Sequence, residues 1–235
     1  MTDKTKIKTN SITKALLSCG AIACPLFIIL VLIEGAIRPN YNSFLYPLSS
    51  LSIGDTGLIQ ISNFIFTGIL LVIFSLGLKQ VCNSDKEKFR GPLLIRSVGI
   101  GLIGAGIFVT DPIFGYPPDK PLVLRQFTFH GHLHDGFSML VFICLPWACF
   151  VFRKYFIAKG KKGWANYSAF TGYAMIATFI FTSMGFKQLS GFVSYAGMFQ
   201  RLCVSIGWTW MTLLSLHLVK IQLDTDSNET RTTNR

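Results

Sequence analysis

Six long runs without a charged residue divide the sequence, and they constrain the fold more strongly than any motif does. The runs are Ala15–Ile33, Thr56–Leu78, Ser97–Thr110, Gly136–Phe152, Trp164–Phe186 and Leu202–Val219. A helix rises about 1.5 Å per residue and the hydrocarbon core of a bilayer is about 30 Å thick, so about 20 apolar residues span it. Five runs approach that length, and the third can be lengthened by the apolar Pro92–Ile95 and by Arg96, whose side chain can snorkel to the interface. The sequence therefore predicts an all-α fold, a polytopic membrane bundle of six transmembrane helices.

The six predicted helices form one membrane domain, residues 15–220, with a short tail at each end. They occupy about residues 15–37, 58–79, 92–113, 132–152, 165–186 and 199–220. Residues 1–14 form a basic tail. Residues 221–235 are rich in Thr, Asn and Asp and have few apolar side chains, so we predict a disordered tail there.

Most of the 22 lysines and arginines lie in alternate segments between the predicted helices. They cluster in the N-terminal tail, in the second and fourth connections and in the C-terminal tail. The positive-inside rule places these segments, and with them both termini, in the cytoplasm. The sequence thus predicts an integral, multi-pass protein of the plasma or cytoplasmic membrane. A net charge of +11 beside membrane spans favours insertion and contact with anionic lipid heads, so membrane lipid is a predicted partner and nucleic acid is not.

Polar residues that are costly inside a bilayer collect at the predicted outer ends of the helices. They are Glu34, Asn63, Asp111, His134, Asp135, Gln200 and Arg201. If the helices pack as one bundle, these residues surround a shallow polar cavity that opens outward and that the segment Tyr46–Ser50 can cover. This cavity is the site that the sequence predicts.

Three of the four histidines, His130, His132 and His134, fall within five residues. Imidazole nitrogens ligate zinc, and His130 and His134 share one face if a helix begins before His130. An extended segment would instead point all three histidines the same way. Asp111 could add an oxygen ligand or orient an imidazole. A divalent metal such as zinc is therefore one hypothesis, and an interfacial turn whose histidines bind backbone carbonyls is the other.

A metal-free site needs fewer residues. Asp111 and His134 would form an acid/base pair, and Ser49 or Ser50 would be the nucleophile once a base removes its proton. The structural alternative is that the two serines cap a short turn after Pro47. The predicted catalytic residues are accordingly Asp111, His134 and Ser49.

Arg201 lies just before an apolar run, on the face where arginines are scarce. It could pair with Asp111, Asp135 or Glu34, bind an anionic group on a lipid or solute, or snorkel to the interface. Together with Asn63 and Glu34, it completes the predicted substrate-binding set.

Four motifs follow one another along the chain. They are Pro47–Gly54, Asn63 and Phe64 with Gly68, Gly106–Pro112 and His130–His134. In order and spacing they resemble the DUF998 family of six-span membrane proteins, over about residues 15–220. The resemblance implies the six-helix fold, whereas the family has no assigned function. The family's recurring positions correspond here to Ser49, Asp111, Pro112, Gly131 and His134. Many members have an acidic residue where this chain has Ser50 and a histidine where it has Tyr46, so chemistry that depends on those positions is altered or lost here.

Three functional hypotheses remain open. The leading one is a membrane-embedded, hydrolase-like enzyme whose outward-facing Asp/His site acts on a lipid or small amphiphile. The second is a transporter or channel component for small solutes, in which Glu34, Asp111 and Arg201 line a path, although the inner halves of the spans have few polar residues to continue it. The third is a non-catalytic protein that binds a lipid or a partner.

Overall fold

Helices account for most of the chain. The computed structural model describes residues 2–82, 89–118 and 128–233, which form six α-helices and no strand. The helices are α1 Thr2–Ile37, α2 Gly57–Cys82, α3 Gly91–Ile107, α4 Phe129–Ala158, α5 Lys162–Phe186 and α6 Ala196–Thr233. Two short 3-10 turns, Leu48–Ser52 and Val193–Tyr195, lie in the first and fifth connections. The predicted all-α fold is confirmed.

Five helices in the described part of the chain are long and apolar enough to cross a membrane. Their apolar segments are Ser11–Ile37, Gly57–Cys82, Phe129–Ala158, Lys162–Phe186 and Val193–Thr225. The remaining helix, α3, is apolar but has 17 residues, about 25 Å of rise. The length and composition of these helices are those of a multi-pass membrane bundle.

Several helix ends differ from those predicted by hydropathy. The helix predicted to about residue 113 ends at Ile107, and Phe108 is extended. Pro112 has no N–H to donate to the carbonyl of residue 108 and disfavours helix at residue 111, so the helix cannot continue regularly to residue 113. α1 begins at Thr2, inside the predicted basic tail, and α6 continues to Thr233, where we predicted disorder from residue 221. Neither extension contains glycine or proline, so an existing helix can propagate through them without a new nucleation step.

The six helices form a closed ring. Each packs against its neighbours in sequence, and α6 packs back against α1. α3 approaches α2 most closely at two glycines, since a Cβ on Gly68 or on Gly99 would lie 2.6 Å from the other residue's carbonyl oxygen. Small residues of this kind allow membrane helices to pack backbone against backbone.

Large side chains fill the ring on the side away from the predicted site. Phe74, Phe152, Trp210 and Met211 are fully buried there. The end at which α1 ends and α2 begins is called the outer end below, after the orientation that the charges predict.

Candidate functional site

A cavity of about 680 Å³ lies at the outer end of the bundle, among α4, α5, the start of α6 and the connections after α1 and α3. Its polar lining includes Ser49, Asp111, His134, Asp135, Ser138 and Gln200, and its apolar lining includes Met139, Phe142, Phe179 and Phe186. All three predicted catalytic residues therefore line one cavity. Of the predicted substrate-binding residues, Arg201, Asn63 and Glu34, none is among its lining residues.

His134 is buried, with 3% of its surface exposed, and its ring is held against the end of α3. Nδ1 lies 2.9 Å from the carbonyl oxygen of Ala105 and 2.8 Å from that of Phe108. The last carbonyls of a helix have no partner within the helix, so the imidazole satisfies groups that α3 leaves open. Because both partners are acceptors, Nδ1 carries the hydrogen, and in the neutral ring the lone pair is on Nε2. That tautomer suits a base or a ligand that acts through Nε2.

Asp111 anchors the start of α4. Its Oδ2 accepts a hydrogen bond from the Thr128 backbone N–H at 2.9 Å, and its Oδ1 accepts one from the Thr128 hydroxyl at 2.6 Å. The Thr128 hydroxyl in turn accepts from the Gly131 N–H at 3.0 Å as the N-cap of α4. A carboxylate is stabilised at a helix N-terminus by the helix dipole. Asp111 thus fixes the first turn of α4, which directly precedes His134. The acid/base role of Asp111 stays a prediction.

Gly131 is required by this contact. A Cβ at position 131 would overlap the Asp111 carboxylate. The glycine therefore lets the carboxylate lie directly over the first turn of α4.

Ser49 belongs to the buried 3-10 turn Leu48–Ser52. The turn is tied to α6 by Gln200, whose Oε1 accepts a hydrogen bond from the Leu48 N–H at 2.8 Å. Within the described residues the Ser49 hydroxyl has no hydrogen-bond partner, and Ser49 lines the cavity. Ser50 is also buried and its hydroxyl lacks a partner there, but Ser50 does not line this cavity. Of the two serines, Ser49 has the better position for chemistry.

Arg201 holds the connection after α1 onto the start of α6. Its Nη1 donates to the carbonyl oxygens of Ser43 at 2.7 Å, Tyr46 at 3.0 Å and Gly197 at 3.1 Å, and its Nη2 donates to the Tyr41 hydroxyl. In the described part of the chain these acceptors take the place of the carboxylates that the sequence suggested as partners. Its assignment to substrate binding stays a prediction.

The Tyr41 hydroxyl links Arg201 to the backbone just before the Ser49 turn. It donates to the carbonyl oxygen of Pro47 at 2.9 Å, two residues before Ser49. Burial raises the pKa of the Tyr41 phenol, although the nearby Arg201 charge lowers it in part, so the phenol keeps its proton at neutral pH. Arg201 and Tyr41 therefore fix the backbone that leads into the turn.

Glu34 and Asn63 are engaged on the α1 and α2 side of the bundle. Arg38 donates to Glu34 Oε1 at 3.4 Å and to the carbonyl oxygen of Ile53 at 2.9 Å, and Glu34 Oε2 is buried without a partner among the described residues. The Asn63 amide donates to the carbonyl oxygen of Phe27 at 3.2 Å. Asn63 thus links α2 to α1, and Glu34 pairs with Arg38, which in turn holds the connection after α1. Their predicted role in substrate binding stays a prediction.

The histidine cluster is helical from Phe129 onward, so the extended alternative is wrong. His130 and His134 lie one turn apart on one face, whereas His132 lies elsewhere on the helix and is exposed. The His130 ring meets the Phe108 ring edge to face at 5.6 Å between centroids. Across the residues that the structure describes, no three His, Cys, Asp or Glu side chains are grouped to hold a metal ion. Zinc at His130, His132 and His134 stays a prediction.

The comparison with protein families agrees with the motifs. The profile of the family described as protein of unknown function (DUF998) matches residues 21–217. The chain belongs to the DUF998 family. No curated protein and no solved structure matches it.

The positions that the resemblance to DUF998 singled out come together in space. Ser49, Asp111 and His134 line the cavity of this DUF998 protein, and Gly131 lies against Asp111. These residues come from three separate segments of the chain. Their convergence makes the outer cavity the candidate functional site.

Two parts of this DUF998 site were missed in the sequence. Thr128 was a findable N-cap, because it directly precedes the helical segment that begins at Phe129. The apolar wall of Phe142 and Phe179 was not findable, because two long apolar runs do not show which of their faces meet.

Proposed function

We propose that this DUF998 protein is a membrane-embedded hydrolase that acts on a lipid or small amphiphile, with Ser49 as nucleophile and His134 as base. The observation that carries the proposal is that both side chains line one cavity while Nδ1 of His134 is fixed on the carbonyls of α3. With the hydrogen on Nδ1, the lone pair of the neutral ring is on Nε2, and a general base accepts a proton through such a lone pair.

The reaction would run as an acyl transfer. Ser49 Oγ gives its proton to His134 Nε2 and bonds to the acyl carbon, and the alcohol leaves with the proton that His134 returns. Water then cleaves the acyl-serine, with His134 again as base. The imidazolium formed in each half lies at the C-terminal end of α3, where the helix dipole stabilises a positive charge. Asp111 acts through position, because it fixes the turn of α4 that precedes His134.

The transporter alternative is less well supported. A transport path needs polar groups or water on both sides of the bilayer midplane. Between the cavity and the inner end, the described ring is filled by buried side chains such as Phe74, Phe152 and Trp210. A protein that binds an amphiphile without cleaving it remains an outcome of the test below.

A fluorophosphonate with an alkyl chain tests the proposal without knowledge of the substrate. We expect it to modify purified protein in detergent, because an activated serine displaces fluoride and forms an Oγ–P bond. Intact-mass spectrometry measures the rate, and peptide sequencing locates the adduct at Ser49. Ser49→Ala and His134→Gln should abolish labelling.

Ser50→Ala is the matched control, since Ser50 is the next residue and does not line the cavity. Its labelling rate should equal that of the wild type. The hydrolase proposal would be contradicted if Ser49→Ala were labelled as fast as the wild type, or if the folded wild type were not labelled at all. A melting curve for each variant separates loss of chemistry from loss of folding.

We further infer that α3 crosses the bilayer, so that the chain has six transmembrane spans. We place the protein in the plasma or cytoplasmic membrane, with both termini in the cytoplasm. Its neighbours α2 and α4 are long enough to span, and α3 packs between them. Single cysteines at the exposed positions 90 and 118 bracket α3, in a background with the six native cysteines replaced by alanine.

A membrane-impermeant maleimide should label the cysteine at 118 in intact cells. It should label the cysteine at 90 only after the cells have been permeabilised. Equal labelling of both in intact cells would place the two ends of α3 on one side, and the reverse pattern would invert the orientation.

A further inference from the structure

The cavity lining changes from polar to apolar with depth. On α4, His134 and Asp135 are nearest the helix start and Phe142 is deepest among the lining residues; on α5, Lys187 caps the helix end and Phe179 is deepest. A ligand that fits this gradient has a polar head at the outer end and an apolar chain below it.

The deepest part of the cavity is an aromatic pair across the α4–α5 interface. The rings of Phe142 and Phe179 are stacked, with centroids 4.7 Å apart and planes at 24°. Above them, the hydroxyls of Thr182 and Ser183 donate to carbonyl oxygens one turn back in α5, at 2.8 Å to Thr178 and 2.9 Å to Phe179. Because those hydroxyls are satisfied within their own helix, this wall requires no polar group from a ligand.

On the α4–α5 side, the cavity comes close to the surface of the bundle at Met139. Met139 lines it and is 40% exposed on the outer surface of the bundle. Met139 lies ten residues into α4, about 15 Å from its start, and Phe179 lies seven residues before the end of α5, about 10 Å from it. Those depths fall within one leaflet of a hydrocarbon core about 30 Å thick. A chain can therefore enter from the bilayer.

Lys187 gives the cavity a cation that no described residue neutralises. It lines the cavity, is exposed at the C-cap of α5, and has no carboxylate partner among the described residues. The two carboxylates of the lining are engaged elsewhere: Asp111 is bound by Thr128, and Asp135 has an interaction of its own. Lys187 is the lysine of this lining, and it can pair with an anionic head group at the outer end of the cavity.

We infer that the cavity binds an amphiphile with one acyl or alkyl chain and an anionic head, which enters between α4 and α5 and pairs with Lys187. A volume of about 680 Å³ is in the range of pockets that enclose most of a small ligand, about 300–1,000 Å³. The inference names the substrate class of the proposed hydrolase. The binding of the amphiphile does not depend on the hydrolase proposal, but its cleavage as a substrate does. Lys187 is the residue that determines specificity for the head group.

Photo-crosslinking in nanodiscs of neutral phosphatidylcholine tests the inference. The probes share one hexadecyl chain with a diazirine and differ in the head: carboxylate, phosphate, alcohol or amine. We expect crosslinking at peptides around Met139, Phe142 and Phe179. At least one anionic probe should saturate this crosslinking at about tenfold lower concentration than the alcohol probe, because its head group forms a charge-assisted hydrogen bond. The difference between the two anions identifies the head group.

Lys187→Gln should remove the anion preference, and Lys187→Arg should keep it. Lys220→Gln is the control, because Lys220 is an exposed lysine at the other end of the bundle. Ser49→Ala should bind as the wild type does, so an anion preference in that variant supports the inference even if the fluorophosphonate test fails. The inferred binding of an anionic amphiphile is overturned by any of three results: equal saturation by the alcohol probe, preference for the amine probe, or crosslinks spread evenly over all lipid-facing helices. The fluorophosphonate test of Ser49 is independent of these results.

Discussion

Replacement of Gly131 by alanine is expected to lower the melting temperature of the purified protein by roughly 6–12 °C. The new Cβ would overlap the Asp111 carboxylate, which is held by two hydrogen bonds from Thr128. Either the carboxylate leaves the helix start or α4 moves away, and overpacking together with loss of charged hydrogen bonds costs about 3 kcal/mol. In a chain of this size each kcal/mol corresponds to about 2–4 °C.

Gly136→Ala is the control, because it lies in the same helix and a Cβ there would meet nothing within 4 Å. Its melting temperature should be unchanged or slightly higher, since alanine in a helix is favoured over glycine by up to about 1 kcal/mol. Equal shifts in the two variants would contradict the proposed contact.

A double-mutant cycle with Asp111→Ala isolates the interaction. Asp111→Ala removes both the clash and the anchor, so adding Gly131→Ala to it should cost much less than in the wild type. A cost that does not depend on Asp111 would mean that the glycine serves another purpose.

The parts of the fold that follow from one strong physical requirement could be predicted from the sequence. Burial of an apolar helix in lipid requires about 20 apolar residues, and the long runs meet that requirement. Helix ends depend on weaker effects. The early end of α3 at Ile107 and the extension of α6 to Thr233 follow from local backbone preferences of about 1 kcal/mol per residue, which hydropathy does not measure.

The sequence grouped polar residues at one end of the bundle but did not show which groups each of them contacts. Ser49, Asp111 and His134 were expected together because polar groups in a bundle converge on one another, and they do line one cavity. Their partners depend on where backbone groups lie. His134 binds the open carbonyls at the end of α3, and Asp111 binds the start of α4 through Thr128. Those backbone groups are invisible in the sequence until the helix ends are known.

Arg201 shows the same limit. The sequence presented an arginine among carboxylates at the outer end, which left an ion pair, an anionic ligand and snorkelling to the interface open. In the structure its donors meet backbone carbonyls of the connection after α1. A guanidinium presents several donors in a fixed fork, so a single arginine can hold several carbonyls that a loop leaves open.

Replacement of Arg201 by glutamine is therefore expected to lower stability by about 3 kcal/mol, or roughly 6–12 °C in melting temperature. The carbonyl oxygens of Ser43 and Tyr46 would lose a donor in a partly buried place. Limited proteolysis should then cut the connection between α1 and α2, and fluorophosphonate labelling of Ser49 should slow, because that connection carries the Ser49 turn.

Arg201→Lys distinguishes a clamp from an anion site. Lysine keeps the charge but concentrates its donors on one nitrogen, so it should restore less than half of the lost stability and leave the connection sensitive to protease. An arginine whose purpose is to bind an anionic head would give the opposite result: near-normal stability without ligand in both variants, and anionic probe binding kept by lysine and lost with glutamine. Arg201 holds Tyr46, just before the Ser49 turn, and the neighbouring Gln200 holds Leu48 at its start, so the first turn of α6 is expected to determine where the Ser49 hydroxyl lies in the cavity.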